Sequence, residues 1–208
     1  MDWQIVGHEW AVNMLQQHIQ HEKLQHAYLF TGSPGIGKRT LALKFAQAVN
    51  CTQPTQTGQP CGTCRDCRQI QAMQHPDLSI VTVDDSGSIK VDQIRELQHS
   101  LSLAPYQAKY RIALLLNFEN ANANAQNALL KTLEEAPARV ILLLTALSVE
   151  NLLPTIVSRC EILRLRPLPL QDLEHALVQQ WQIELEKARL LSHLTSGRLG
   201  ESLHYAQD

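Results

Sequence analysis

A chain of 208 residues that is 44% hydrophobic and 18% charged can bury one large core, or one core and a small appendage. Its net charge of -2 excludes binding to polyanions by bulk charge, so a nucleic-acid contact must come from a local patch or from partner subunits. No run of 18 apolar residues exists and the start, Met1-Asp2-Trp3-Gln4, is not that of a signal peptide, so a cytoplasmic chain without membrane contact is expected.

From the N-terminus, residues 9–22 carry Trp10, Val12, Leu15 and His18 at helical spacing and predict an amphipathic helix. Residues 26–31 form a short apolar and aromatic run ending at Gly32, which predicts a buried strand. Residues 38–50, rich in Ala, Leu and Lys, predict a helix. Residues 51–67 are an insert of Cys, Gly, Pro, Thr and Gln with no regular pattern. A strand is expected over 78–83, a helix over 91–101 with Asp92 near its start, and an apolar strand over 111–116. The biased stretch 121–127 is too short to be disordered and leads into a helix over 125–135 that stops near Pro137. Strands follow over 140–145 and 161–165. Buried strands alternating with helices imply an α/β fold, a parallel sheet covered on both faces. Residues 166–169 read as a linker, and helical patterns then run over 170–182, 185–194 and 199–206. The expected organisation is a large domain at 1–167 and a small helical domain at 168–208.

Gly32-Ser33-Pro34-Gly35-Ile36-Gly37-Lys38 fits G-x-x-x-x-G-K between a strand and a helix, the context a phosphate-binding loop needs. Gly32, Gly35 and Gly37 let backbone N–H groups turn toward phosphate oxygens, the helix start adds a favourable dipole, and Lys38 adds a charge. The bland alternative is a Gly-rich turn with an exposed lysine. Arg39 stands where a Ser or Thr would hold Mg²⁺, and Thr40 comes one place late, about 100° around the helix. ATP binding is therefore possible, and Mg²⁺ binding is doubtful.

Cys51, Cys61, Cys64 and Cys67 give C-x9-C-x2-C-x2-C. Thiolates at this spacing can wrap one tetrahedral Zn²⁺, and four protein ligands leave no open position, so the site is structural. A redox pair is the alternative, but it would need only one C-x-x-C. Cys160, in an apolar context, reads as a buried thiol. A second gap lies at the end of the 111–116 strand, where a phosphate-loop ATPase places an acid for Mg²⁺. The chain reads Leu116-Asn117-Phe118-Glu119 there, and Glu119 is too late by the strand register. Both halves of the metal site are degraded, so little or no hydrolysis by this chain is expected.

Together these segments resemble the AAA+ clamp-loader ATPases of bacterial DNA polymerase III, and among them the delta-prime class. The carrying residues are the phosphate loop, the cysteine insert, Gln126-Asn127-Ala128-Leu129-Leu130-Lys131-Thr132-Leu133-Glu134-Glu135, Leu152-Leu153-Pro154-Thr155-Ile156, and Ser158-Arg159-Cys160. They span residues 5–165, and the helical tail fits the family's lid. The resemblance implies a P-loop AAA+ (RecA-like) fold with a zinc insert. It implies that Arg159 reaches a neighbouring subunit's ATP as a finger, a task that suits a planar, permanently charged group. It implies tau/gamma and delta subunits as partners, and the sliding clamp and primed DNA through the complex. It also implies an oligomerising domain after the lid, which this chain does not contain. Motor subunits keep an Asp-Glu pair where Leu116 and Asn117 stand, and a lid arginine where Gly200, three places after Gly197, stands instead; Arg198 is out of step. Thr145 lies near the family's first sensor position, where strand-end packing is an equal alternative. Two other readings remain: an active motor that uses Glu119 and Thr40 in unusual geometry, and a zinc-bearing DNA-binding module, against which the near-neutral charge speaks.

Overall fold

In the computed structural model, which describes residues 3–207, five strands pair in parallel into one sheet. They are β1 (Ala27–Thr31), β2 (Leu78–Val81), β3 (Arg111–Leu115), β4 (Val140–Ala146) and β5 (Glu161–Arg164), in the spatial order β2-β3-β4-β1-β5. The three inner strands are buried at every residue, so they read as continuous apolar runs without alternation. The edge strands β2 and β5 keep partly exposed residues.

Because successive side chains point to opposite faces, each strand feeds two cores. Tyr28, Phe30, Ile112, Leu114, Ile141 and Leu143 pack on one face beneath α1 (Glu9–Gln20), α2 (Lys38–Asn50) and α3 (Arg65–Gln71). Leu29, Ala113, Leu115, Leu142 and Leu144 pack on the other beneath α4 (Val91–Leu101), α5 (Ala123–Glu134) and the short α6 (Pro154–Val157). A separate apolar cluster joins Leu173 and Leu177 of α7 (Leu170–Trp181) to Ala188 and Leu191 of α8 (Leu185–Leu194), with Leu199 and Leu203 of α9 (Leu199–Gln207) against it. Among the described residues, no helix is long and apolar enough to cross a membrane.

Helices α2, α4 and α8 have the limits that their sequence patterns predict. The expected helix over 9–22 ends at Gln20, and the residue after next, Glu22, has a positive φ of 54°. The insert is not irregular throughout. It enters α3 at Arg65, with Cys64 as the cap, its sulfur accepting the Cys67 N–H at 3.4 Å. The insert's loop is tied to the core by Trp3, which donates from Nε1 to the Gly58 carbonyl at 2.9 Å. Trp3 in turn stacks on Phe45 at 6.2 Å, and Phe45 meets Tyr28 edge-on at 4.8 Å.

A buried polar knot fixes the amino ends of β2 and β3. Asp77, just before β2, accepts the N–H groups of Tyr106, Gln107 and Ala108 at 2.6, 2.8 and 2.9 Å. It also pairs with Arg111 at 3.2 Å, and its side chain is fully buried. His75 joins by accepting the Asp77 N–H at Nδ1, which leaves Nε2 to donate to Asp66 of α3 at 3.1 Å. Burial pushes the Asp77 carboxyl up, but the three N–H donors and Arg111 outweigh it and hold its pKa below the usual value. The contribution of Asp77 to stability is therefore full above about pH 4 and is lost as pH falls through the folded-state pKa. Replacing Asp77 with Ala leaves Arg111 buried and unpaired, and should lower unfolding stability by about 3–5 kcal/mol in a denaturant titration at pH 7.

Candidate functional site

The carboxyl ends of β3, β4 and β1 are adjacent, and the residues leaving them form one cleft. The loop 32–38 leaves β1 and opens α2, whose cap is Gly37. Its carbonyls are engaged on several sides. Lys38 Nζ donates to the carbonyls of Gly32 and Ser33, the latter at 3.1 Å. His8 Nε2 donates to the Ile36 carbonyl at 2.9 Å, which fixes the tautomer. The Gly200 N–H reaches the Gly35 carbonyl at 2.7 Å. Burial pulls the Lys38 ammonium pKa down, and the negative charge of Glu119 opposes that shift.

Gly35 and Gly200 let two backbones meet. A Cβ at Gly35 would lie 2.7 Å from Glu201 Cγ, and one at Gly200 would lie 2.7 Å from the Gly35 carbonyl oxygen. The start of α9 thus rests directly on the phosphate loop. This contact borders two cavities. One, of about 500 Å³, is lined by the loop together with Thr82, Asn117 and Thr145. The other, of about 180 Å³, is lined by Ile5, Val6, His8, Trp181 and Leu203 beside the loop. Arg39 and Thr40 are both exposed, and both line the larger cavity.

Opposite the loop, β3 ends at Leu115, and Asn117 takes a left-handed conformation with φ 52°. Its N–H donates to Thr145 Oγ1 at 2.9 Å, so the Thr145 hydroxyl pins the turn that follows β3. Glu119 lies in the next helical turn, Phe118–Asn120, with Oε2 buried and without a hydrogen-bond partner among the described residues. It is near enough to act on Lys38 electrostatically.

Arg159 follows α6, half-buried, with Nη2 on Glu134 at 2.8 Å and Nη1 on the Thr155 carbonyl at 2.9 Å. The sequence reading missed His8, the Gly35–Gly200 contact and Glu134. Glu134 sat inside a motif already singled out, but nothing in one sequence signals a pairing across 25 positions. Cys160, expected as a buried thiol, is partly exposed, and desolvation pushes its thiol up to about 12.

The cysteine insert closes on itself. The sulfurs of Cys51, Cys61, Cys64 and Cys67 all lie within 4.8 Å of one another, and Cys51 and Cys64 are 4.0 Å apart. Bonds of about 2.3 Å to a tetrahedral Zn²⁺ set sulfurs about 3.8 Å apart, so a small contraction brings the four onto one ion. The N–H of Cys61 points at Cys51 sulfur and that of Cys64 at Cys61 sulfur, at 3.3 and 3.2 Å. Such donors stabilise thiolates: the Cys64 N–H holds the Cys61 thiol down at about 6. Burial pushes the Cys51 and Cys67 thiols up, the cost that a divalent cation would offset. Held by all four, zinc supplies a cross-link and no catalytic position. The chain should carry one zinc per molecule by elemental analysis. Replacing Cys64 with Ser should remove the metal and expose residues 51–63 to proteolysis while the sheet stays folded.

The comparisons with known proteins agree with this geometry. A family model described as DNA polymerase III, delta subunit, matches residues 7–169. The chain is 35% identical to DNA polymerase III subunit delta' of Bacillus subtilis, over 89% of this chain and 55% of that protein. It is 38% identical to subunit delta' of Pseudomonas aeruginosa, over 84% and 55%. It is 34% identical to subunit tau of Escherichia coli, over 83% and 26%. The chain thus spans about half the length of these delta' relatives, and less of tau. Among solved structures it is similar to the RuvB Holliday junction branch migration motor of Thermotoga maritima, with a TM-score of 0.64 at 16% identity, covering 96% of this chain and 60% of that one. It is also similar to a DNA polymerase III gamma subunit-related protein of Thermotoga maritima, with a TM-score of 0.61 at 21% identity, covering 88% and 57%. These likenesses identify the fold as AAA+, and the match over residues 7–169 shows that the chain belongs to the DNA polymerase III delta subunit family, among the clamp-loader proteins that its motifs resemble.

Proposed function

We propose that this chain acts as a delta-prime-like subunit of the DNA polymerase III clamp loader, a pseudo-ATPase that lends Arg159 to the ATP of a neighbouring subunit during loading of the sliding clamp. The observation that carries the reading is the strand end opposite the phosphate loop. Leu116 and Asn117 offer no carboxylate there, and the Thr145 hydroxyl holds the turn closed through the Asn117 N–H. The strand-end acid and the hydroxyl after Lys38, the two groups by which a phosphate-loop ATPase fixes Mg²⁺, are both replaced here, and Mg²⁺ carries much of the charge stabilisation in phosphoryl transfer. The higher identity to delta' subunits than to the tau subunit points the same way.

In this role the large domain, residues 1–167, is a frame. The zinc insert at 51–67 stiffens it, and the helices of 168–208 form a lid over the loop. Lys38 and the loop N–H groups hold a nucleotide passively or stay empty. Arg159 places a planar cation at charge developing on the neighbour's phosphates. Clamp, primed DNA, and tau/gamma and delta subunits are the partners of the assembled complex.

The tau/gamma-like motor remains a second reading because Glu119 presents a buried carboxylate oxygen near Lys38 and the tau relatives are also similar. Phosphate release with ATP and Mg²⁺ separates the two. The purified chain should show no turnover, whereas turnover abolished by Lys38→Ala would favour the motor. In the reconstituted loader, Arg159→Ala should lower ATP hydrolysis about tenfold or more, since fingers in related phosphate chemistry are worth about 10³–10⁵ in rate. An unchanged rate would remove the finger role.

A further inference from the structure

Arg159 is held by two different elements. Its Nη2 donates to Glu134 at the end of α5, and its Nη1 to the Thr155 carbonyl in α6. Helix α5 is itself braced. Asn122 caps its start by accepting the Ala125 N–H at 2.8 Å. Gln126 accepts the Leu153 N–H at 2.9 Å, fastening α5 to the residue that leads into α6. Glu134 therefore presents its carboxylate from a helix whose relation to α6 is already set.

A guanidinium has five N–H donors in a fixed plane. Two are engaged by Glu134 and Thr155, which leaves three, and a bidentate grip on a phosphate needs two. The two anchors therefore leave donors on the guanidinium that a phosphate can take. A free arginine loses much rotamer freedom on docking, and anchoring it beforehand removes that loss.

We infer that Glu134 is a positioning residue for Arg159, orienting the guanidinium so that three donors remain for the phosphates of a nucleotide held by a neighbouring subunit. The inference rests on Arg159 acting in trans, and its test separates the two ideas. In the reconstituted loader, Glu134→Ala should lower kcat for ATP about three- to fivefold, the scale of orientation that an exposed ion pair supplies, with KM little changed. Glu134→Gln, whose amide oxygen accepts the same Nη2–H, should restore most of the rate. In an Arg159→Ala background, Glu134→Ala should change nothing further, because it acts only through the arginine. Melting temperature and zinc content of each variant should match the parent. The positioning role is overturned if Glu134→Ala runs at or above the parental rate while Arg159→Ala is slow, if Glu134→Gln is as slow as Glu134→Ala, or if the two losses add. An unchanged rate for Arg159→Ala alone overturns the trans-acting reading, and the inference with it.

Discussion

A parallel sheet buried on both faces leaves its inner strands no solvent for their backbone groups, so each must find its partners in the ladder. That constraint makes β1, β3 and β4 uniformly apolar and forces every connection to cross over a face and re-enter at the same end. All strands then discharge their loops at one edge. Because β3, β4 and β1 are neighbours, Asn117, Thr145 and the phosphate loop meet in one cleft although they are spread over more than a hundred positions of the sequence. The site is a product of strand order.

At the same edge several polar groups of the cleft bond to the chain itself. Lys38 spends its donors on the carbonyls of its own loop, and Asn117 is committed to Thr145. Glu119 contributes charge from a turn away without a hydrogen bond. From the start of α9, Gly200 brings its backbone N–H to the Gly35 carbonyl. Each contact turns a polar group of the cleft onto the chain itself.

Much of this was legible in the sequence because it is local. The limits of α2, α4 and α8 follow from periodicity, and the four cysteines from their spacing. The start of α3 was hidden because Cys64 serves as both metal ligand and helix cap, and sulfur is not a usual capping signal. Helix α6 spans only Pro154–Val157, too short for any period to register. The Gly35–Gly200 contact, the His8 bond to Ile36 and the Glu134–Arg159 pair escaped for another reason. Each joins residues distant in sequence, and their chemistry exists only once the sheet has brought them together.

Helix α2 joins two features that otherwise look unrelated. Its first turn is the end of the phosphate loop, and the residue after its last is Cys51. On its flank, Gln47 donates to the Cys67 carbonyl at 2.7 Å, so a second zinc ligand is bound to the same rod. Thirteen residues make a rod of about 20 Å, and a tilt of about 5° at one end moves the other by about 2 Å. The cysteine cluster therefore sits at the far end of a rod whose near end is the phosphate loop. The cysteine cluster and the phosphate loop are thus placed by one and the same rigid element.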